Sequence, residues 1–259
     1  MQTYHSYDGG PPYTAVKFDA AYGASSEIVH SVMPVVKRFG PATEMWLGEG
    51  GGIGSSGVGA VSNAFWSSIF FADTLGNLAK NGQQRFLRQT LAGGHYGLVN
   101  LTTVPPSVNP DYYTGLLFAR LMGVRVLATS VAQEPARPEF PLRSYCHCAR
   151  GAGGGVALLL INLHQTQGVN LTRLQLPRPI KQLTVYRLQP ERDLHSTSVR
   201  LNGAVLRLGP GGALPAMAGV PHDPGQPLLV GPMDIVFAVA AGSVPACAAA
   251  PGETLPVGG

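Results

Sequence analysis

The stretch Thr43-Glu44-Met45-Trp46-Leu47-Gly48-Glu49-Gly50-Gly51-Gly52-Ile53-Gly54-Ser55-Ser56-Gly57 decides the fold. A short apolar run, Met45-Trp46-Leu47, ends in the carboxylate of Glu49, and a glycine-rich loop follows at once. A buried barrel strand hands an acidic side chain to the mouth of the barrel in this way. The glycines let backbone come close to a ligand. A carboxylate so placed can attack or stabilise an electron-poor carbon. Spacing alone leaves a plainer alternative open, in which Glu49 is a surface acid beside a flexible loop.

Outward from this stretch the apolar pattern alternates between strand and helix. Val16–Tyr22 is ambiguous. Ser25-Ser26-Glu27 opens a helix whose apolar face is Ile28, Val29, Val32, Val35 and Val36, with Pro34 expected to kink or shorten it. Ser62-Asn63 is expected to cap a second helix, with Phe65, Ile69, Ala72 and Leu75 inward and Gly76 interrupting the run. Arg85–Leu91 reads as a short strand and Pro110–Met122 as a third helix. This is the rhythm of a (β/α) barrel.

Beyond Gly123 the rhythm changes. Val124–Ser130, Arg143–Cys148, Val156–Asn162, Gln182–Leu188, Ser198–Leu201, Val205–Leu208 and Ile235–Ala240 read as short strands between glycine- and proline-rich connectors. That is the signature of a β-sandwich. Leu214–Val230 reads as an extended crossover. The fold class expected is α/β plus all-β. Residues 1–123 would form the C-terminal part of a (β/α)8 barrel, and residues 124–259 a β-sandwich. The first region holds about three strand–helix units where a closed barrel takes eight. Parallel sheet edges would stay uncovered, so a fragment or alternative product of a longer protein is expected.

The 259 residues are 45% hydrophobic and 12% charged, which suits a well-buried globular chain. The 34 glycines and 22 prolines imply many loops rather than long helices. No apolar run is long enough to span a bilayer, and Met1-Gln2-Thr3-Tyr4-His5 is too polar for a signal peptide. Net charge is +4, all of it arising after residue 124. This bias could favour acidic polysaccharides, but no basic cluster supports a nucleic-acid site. Three cysteines are too few for a zinc ribbon, and Cys146-His147-Cys148 has no second cluster to complete four ligands. Asn100-Leu101-Thr102 and Asn170-Leu171-Thr172 are sequons compatible with a glycosylated, secreted protein.

Several further segments fall in register with one family. They are Arg88-Gln89-Thr90-Leu91-Ala92-Gly93-Gly94-His95-Tyr96-Gly97-Leu98, Asn109-Pro110-Asp111-Tyr112-Tyr113, Ser144-Tyr145-Cys146-His147-Cys148-Ala149-Arg150, Ile161-Asn162-Leu163-His164 and Val244-Pro245-Ala246-Cys247. Together with Trp46-Leu47-Gly48-Glu49 they resemble the C-terminal half of the heparanase-like family, retaining endo- and exo-β-glucuronidases, and its plant and algal branch most.

The resemblance implies roles residue by residue. Glu49 is the nucleophile. Gly94 and Tyr96 hold the uronate carboxylate of the substrate, through a backbone N–H and a phenol. Gln89 is a polar residue aimed at the sugar, and an amide suits hydroxyls because it both donates and accepts. Ser55 and Ser56 present backbone amides to the carboxylate. His5 and Tyr7 match a His-x-Tyr strand end. The plainer readings are a rim aromatic for Tyr96 and a structural histidine for His5. Cys148 pairs with Cys247, leaving Cys146 as a free thiol. No metal or organic cofactor is implied.

The sequence departs from the pattern at Gly54, where relatives carry tyrosine, and at His95, where they carry asparagine. The family's general acid lies in an Asn-Glu pair, and no such dipeptide occurs here. Glu44 cannot replace it: at five residues' remove along a strand it would lie about 16 Å away on the other face. The expected activity is retaining hydrolysis of glucuronic-acid-containing glycans, by a protein with a signal peptide that works outside the cell, at its surface or in a vacuole-like compartment. The 259-residue chain alone is expected to be inactive, and a separate N-terminal barrel segment is an expected partner. The alternative is a non-catalytic carbohydrate-binding or regulatory relative.

Overall fold

The structure, a computed structural model, describes residues 2–4, 31–51, 56–132, 142–151, 153–175, 180, 182–242 and 244–248. Strands β1 (Gln2–Tyr4), β2 (Trp46–Gly51) and β3 (Arg85–Arg88) form a parallel sheet in that order. Helix α1 covers residues 31–39, α2 Phe65–Lys80 and α3 Pro110–Leu121. A short hairpin, β4 (Val99–Asn100) and β5 (Ser107–Val108), leads into α3. The ambiguous segment 16–22 and the expected start of α1 lie outside the described residues.

Helix α1 runs through Pro34 to residue 39. Two local expectations are corrected. Ser62 and Asn63 do not cap α2: the N-cap is Ala64, with no side-chain bond. The first N–H groups of α2 go instead to a distant loop, Phe65 to the Ser196 carbonyl at 3.0 Å and Trp66 to that of Leu194 at 3.1 Å. Ser62 is drawn into the preceding turn, where its hydroxyl accepts the Val58 N–H at 3.0 Å. Gly76 does not interrupt α2 either. A Cβ there would lie 2.3 Å from the Tyr145 ring, so glycine makes room for that ring, whose phenol donates to buried Asp73 on the same helix.

Eight strands build the second sheet: β6 (Met122–Leu127), β7 (Leu142–Ala149), β8 (Val156–Asn162), β10 (Gln182–Pro190), β11 (Val199–Leu201), β12 (Ala204–Val205), β13 (Val220–His222) and β15 (Ile235–Ala241). The order is β12-β11-β10-β15-β8-β7-β6, all antiparallel, with β13 pairing β10. A separate pair, β9 (Val169–Leu171) and β14 (Leu228–Val230), covers one face. The expected crossover 214–230 therefore contains β13 and β14, and β9 was not expected.

The apolar run of β8 reads as continuous because both of its faces are buried. Ala157, Leu159 and Ile161 join Phe65, Trp66, Ile69, Tyr113 and Leu117 of the helices in one core. Val156, Leu158 and Leu160 face Leu228 and Val230 in another. Chain passes straight from α3 into β6, so the core between helices and sheet continues across residue 123.

Cys148, near the end of β7, is bonded to Cys247 in a short 3-10 turn, with Cα atoms 5.3 Å apart. Cys146 is free and buried, and burial pushes its thiol up to about 11. His147 points to the other face. Its Nδ1 lies 2.6 Å from the Gly123 carbonyl, and its ring meets Phe118 edge-on. Burial holds this imidazole below its ordinary range, against the pull of that hydrogen bond. Among the described residues no helix is long and apolar enough to cross a membrane.

Candidate active site

Glu49 sits in an irregularity of β2. Leu47 pairs with Phe86 and Gly50 with Arg88, so Gly48 and Glu49 together stand opposite Leu87. The extra residue is a bulge, a device that re-aims side chains beside active sites. Gly50 serves packing rather than flexibility: a Cβ there would lie 2.8 Å from Leu47 and 2.9 Å from Phe86. Glu49 is half-buried near the C-terminal end of β2, in register with Gln2 of β1. Glu44 lies beyond the opposite end of that strand. Its carboxylate accepts the Trp46 indole N–H at 2.7 Å and stands 3.8 Å from Arg85.

The loops after β2 and β3 meet at this end of the sheet. The Gln89 N–H donates to the Gly50 carbonyl at 2.9 Å, carrying the chain out of β3. The His95 N–H donates to the Ser56 carbonyl at 2.7 Å. A Cβ on Gly94 would fall 2.8 Å from that same oxygen, and one on Gly57 would fall 3.1 Å from the Tyr96 nitrogen. Both glycines also have positive φ, at 64° and 78°, so the contact between the loops requires glycine on both sides. Tyr96 is buried, and the His95 ring lies against Gly59.

Ser56, Gln89, Gly94 and Tyr96 are thus gathered around the exit of the Glu49 strand. His5, Tyr7 and Ser55 lie outside the described residues, as does Gly54. The first sequon folds locally: Asn100 Oδ1 accepts the Thr102 N–H at 2.9 Å and its hydroxyl at 2.6 Å. Asn170 stands exposed in the middle of β9.

Beneath the loop lies a buried ion pair that sequence reasoning missed. Arg88 Nη2 is 2.7 Å from Asp111 Oδ2 and 2.9 Å from the Tyr96 carbonyl. Asp111 also accepts the hydroxyls of Ser67 at 3.1 Å and Ser68 at 2.8 Å. The guanidinium stacks 4.8 Å from the centre of the Phe71 ring. Burial pushes the Asp111 carboxyl above the usual carboxylate range, against the pull of Arg88 and the two hydroxyls. An acid in the first turn of a helix ordinarily reads as a solvated partner of the helix dipole. No local signal joined it to an arginine 23 residues earlier.

Residues 2–76 match the family model described as glycosyl hydrolase family 79, N-terminal domain. The chain is 34% identical over 225 residues to baicalin-beta-D-glucuronidase of Scutellaria baicalensis, covering 86% of this chain and 40% of that protein. It is 31% identical over 278 residues to heparanase-like protein 3 of Arabidopsis thaliana, covering 95% and 50%. Among solved structures it is similar to the GH51 alpha-L-arabinofuranosidase of Thermotoga petrophila, with TM-score 0.62, 14% identity, and 92% of this chain and 51% of that one covered. That likeness concerns the fold alone.

The fold is similar to that of solved glycoside hydrolases of the barrel type. In sequence the chain is similar to members of the heparanase-like family, and its residues 2–76 match the family 79 model. It spans 40% and 50% of the length of the two curated relatives above.

Proposed function

We propose that this chain carries the nucleophile of a retaining β-glucuronidase, and that Glu49 is that nucleophile. The observation that carries the reading is the bulge that places Glu49 at the C-terminal end of a parallel strand, beside the loop contact between Ser56 and Gly94. In barrel enzymes that end of the sheet is where chemistry occurs. In this reading residues 1–123 are the C-terminal part of a (β/α)8 barrel and residues 124–259 a β-sandwich. Gly94 and Tyr96 hold the uronate carboxylate, Gln89 a sugar hydroxyl, and Ser55, Ser56, His5 and Tyr7 line the same pocket.

Retaining hydrolysis pairs the nucleophile with an acid about 5–5.5 Å away. Glu44 is at the wrong end of β2 for that role. The general acid is supplied by a further barrel segment. The substrate class is a glucuronide or acidic polysaccharide, in keeping with the name of the Scutellaria relative. The disulfide and the two sequons suit work outside the cell or in a vacuole-like compartment.

Hydrolysis of an aryl β-glucuronide by the intact protein and by its Glu49→Gln variant is the test. Loss of several orders of magnitude in kcat is expected, because the covalent step needs an anionic nucleophile. Near-normal turnover by the variant removes Glu49 from the mechanism. Binding of glucuronides by the unaltered protein without hydrolysis would favour the non-catalytic reading.

A further inference from the structure

Three consecutive carbonyls in the loop between β3 and α3 are gripped from below. The Tyr96 carbonyl accepts from Arg88 at 2.9 Å. The Gly97 carbonyl accepts from Asn109 Nδ2 at 2.7 Å. The Leu98 carbonyl accepts from the Asn109 N–H at 2.9 Å. From the other side, the His95 N–H reaches the Ser56 carbonyl of the Glu49 loop at 2.7 Å.

Arg88 is the hub of this grip. It closes β3 opposite Gly50, the residue after Glu49, and its side chain is only 8% exposed. One nitrogen, Nη2, serves both Asp111 and the Tyr96 carbonyl. Asp111 is itself tied to Ser67 and Ser68 in the first turns of α2. The pair therefore bolts together the strand beside Glu49, the starts of α2 and α3, and the loop bearing Gly94 and Tyr96.

Stability alone gives a weak reason for such a pair. Two well-packed apolar side chains in place of a buried ion pair are often neutral or stabilising. They would, however, leave the Tyr96 carbonyl without its guanidinium donor, the one bond of the grip that ties the loop directly to β3 beside Glu49 through a side chain.

We infer that Arg88 and Asp111 are positioning residues, which hold Gly94 and Tyr96 at the height where a sugar carboxylate is bound over Glu49. The inference rests on the β-glucuronidase reading above and assigns the pair to substrate affinity rather than to the covalent step. Loosening the grip weakens binding that is uniform between ground state and transition state, which raises KM more than it lowers kcat.

The test uses the intact protein with Arg88→Lys, Arg88→Met and the double variant Arg88→Met/Asp111→Leu. KM and kcat for an aryl β-glucuronide are measured beside the midpoint of urea unfolding. Arg88→Met leaves a buried carboxylate unpaired and is expected to lower the midpoint, whereas the double variant removes both charges and restores it. Arg88→Lys and the double variant are both expected to raise KM about tenfold or more, with kcat changing less than about threefold. Restored stability without restored KM separates positioning from folding. A double variant that recovers KM together with the midpoint overturns the inference, because the pair is then a fold element only. Unchanged KM in Arg88→Lys and in the double variant, in a protein that hydrolyses the glucuronide normally, overturns it too and leaves the proposed function standing. Absence of hydrolysis by the unaltered protein overturns the function, and the inference with it.

Discussion

The backbone N–H of Phe65 donates to the carbonyl of Ser196 at 3.0 Å, so a loop of the antiparallel sheet completes the start of the helix that follows the Glu49 loop. The Ser196 hydroxyl in turn accepts the N–H groups of Arg192 and Asp193, each at 3.1 Å, which fixes the shape of that loop. His195 reaches across as well, its Nδ1 lying 2.9 Å from the Ala60 carbonyl. The antiparallel sheet thereby holds the connection between Glu49 and α2.

Ser196 is buried, so Ser196→Ala leaves two N–H groups without their acceptor. A loss of about 1–3 kcal/mol is expected. The midpoint of urea unfolding reads it directly, and an unchanged midpoint would show that the loop keeps its shape without the hydroxyl.

Gly76→Ala should destabilise the protein even though alanine is the better helix former by about 1 kcal/mol. The new Cβ would meet the Tyr145 ring at 2.3 Å, and that ring is held by its bond to Asp73. Overpacking of this kind costs about 1–3 kcal/mol or more. A rise in unfolding midpoint would contradict the packing described for α2 against β7.

His147 gives stability a definite pH dependence. Burial lowers its folded pKa below the ordinary 6.5, so the proton is bound more readily by the unfolded chain. At this ring, stability is full above pH about 6.5. It declines as pH falls from there toward the lower folded value, by at most about 1.4 kcal/mol per pH unit. In His147→Phe the decline between pH 7 and 5 should be shallower, as followed by unfolding at each pH. An identical slope in both proteins would rule out His147 as the titrating group.

Cys146 should resist modification in the folded state. Its thiol is buried and pushed up to about 11, which leaves almost no thiolate at pH 8. Labelling with a thiol reagent should yield no adduct on native protein and one on unfolded, non-reduced protein. Rapid labelling of the native protein, or more than one reactive thiol after unfolding, would contradict the burial of Cys146 or the Cys148–Cys247 bond.

What could be read from sequence was local. Strand β8 was found with its bounds because the run 156–161 is apolar without a break and ends at polar Asn162, a pattern that needs no partner to recognise. Glu49 stood out because an apolar run stops at a carboxylate and glycines follow. What escaped depended on partners far along the chain. The first N–H groups of α2 are met by residues 194 and 196, so Ser62-Asn63 is a cap signal that the tertiary fold overrode. Strands β9 and β14 have three residues each, pair only with one another, and are separated by β10 to β13 in sequence. Arg88 and Asp111 stand 23 residues apart with no spacing that pairs them, and only the fold buries them together. Gly94 and Tyr96 were named by resemblance, and the structure sets their loop against Ser56.

The most direct measurement is covalent trapping. An activated 2-deoxy-2-fluoro-β-glucuronide slows breakdown of a glycosyl-enzyme more than its formation, so the label accumulates on the nucleophile. The intact, active protein would be treated, digested and sequenced by mass spectrometry. The label is expected on the peptide containing Trp46-Leu47-Gly48-Glu49, bonded to the Glu49 carboxylate and absent from Glu49→Gln. Label on a different carboxylate, or none on a protein that turns over glucuronides, would contradict Glu49 as the nucleophile.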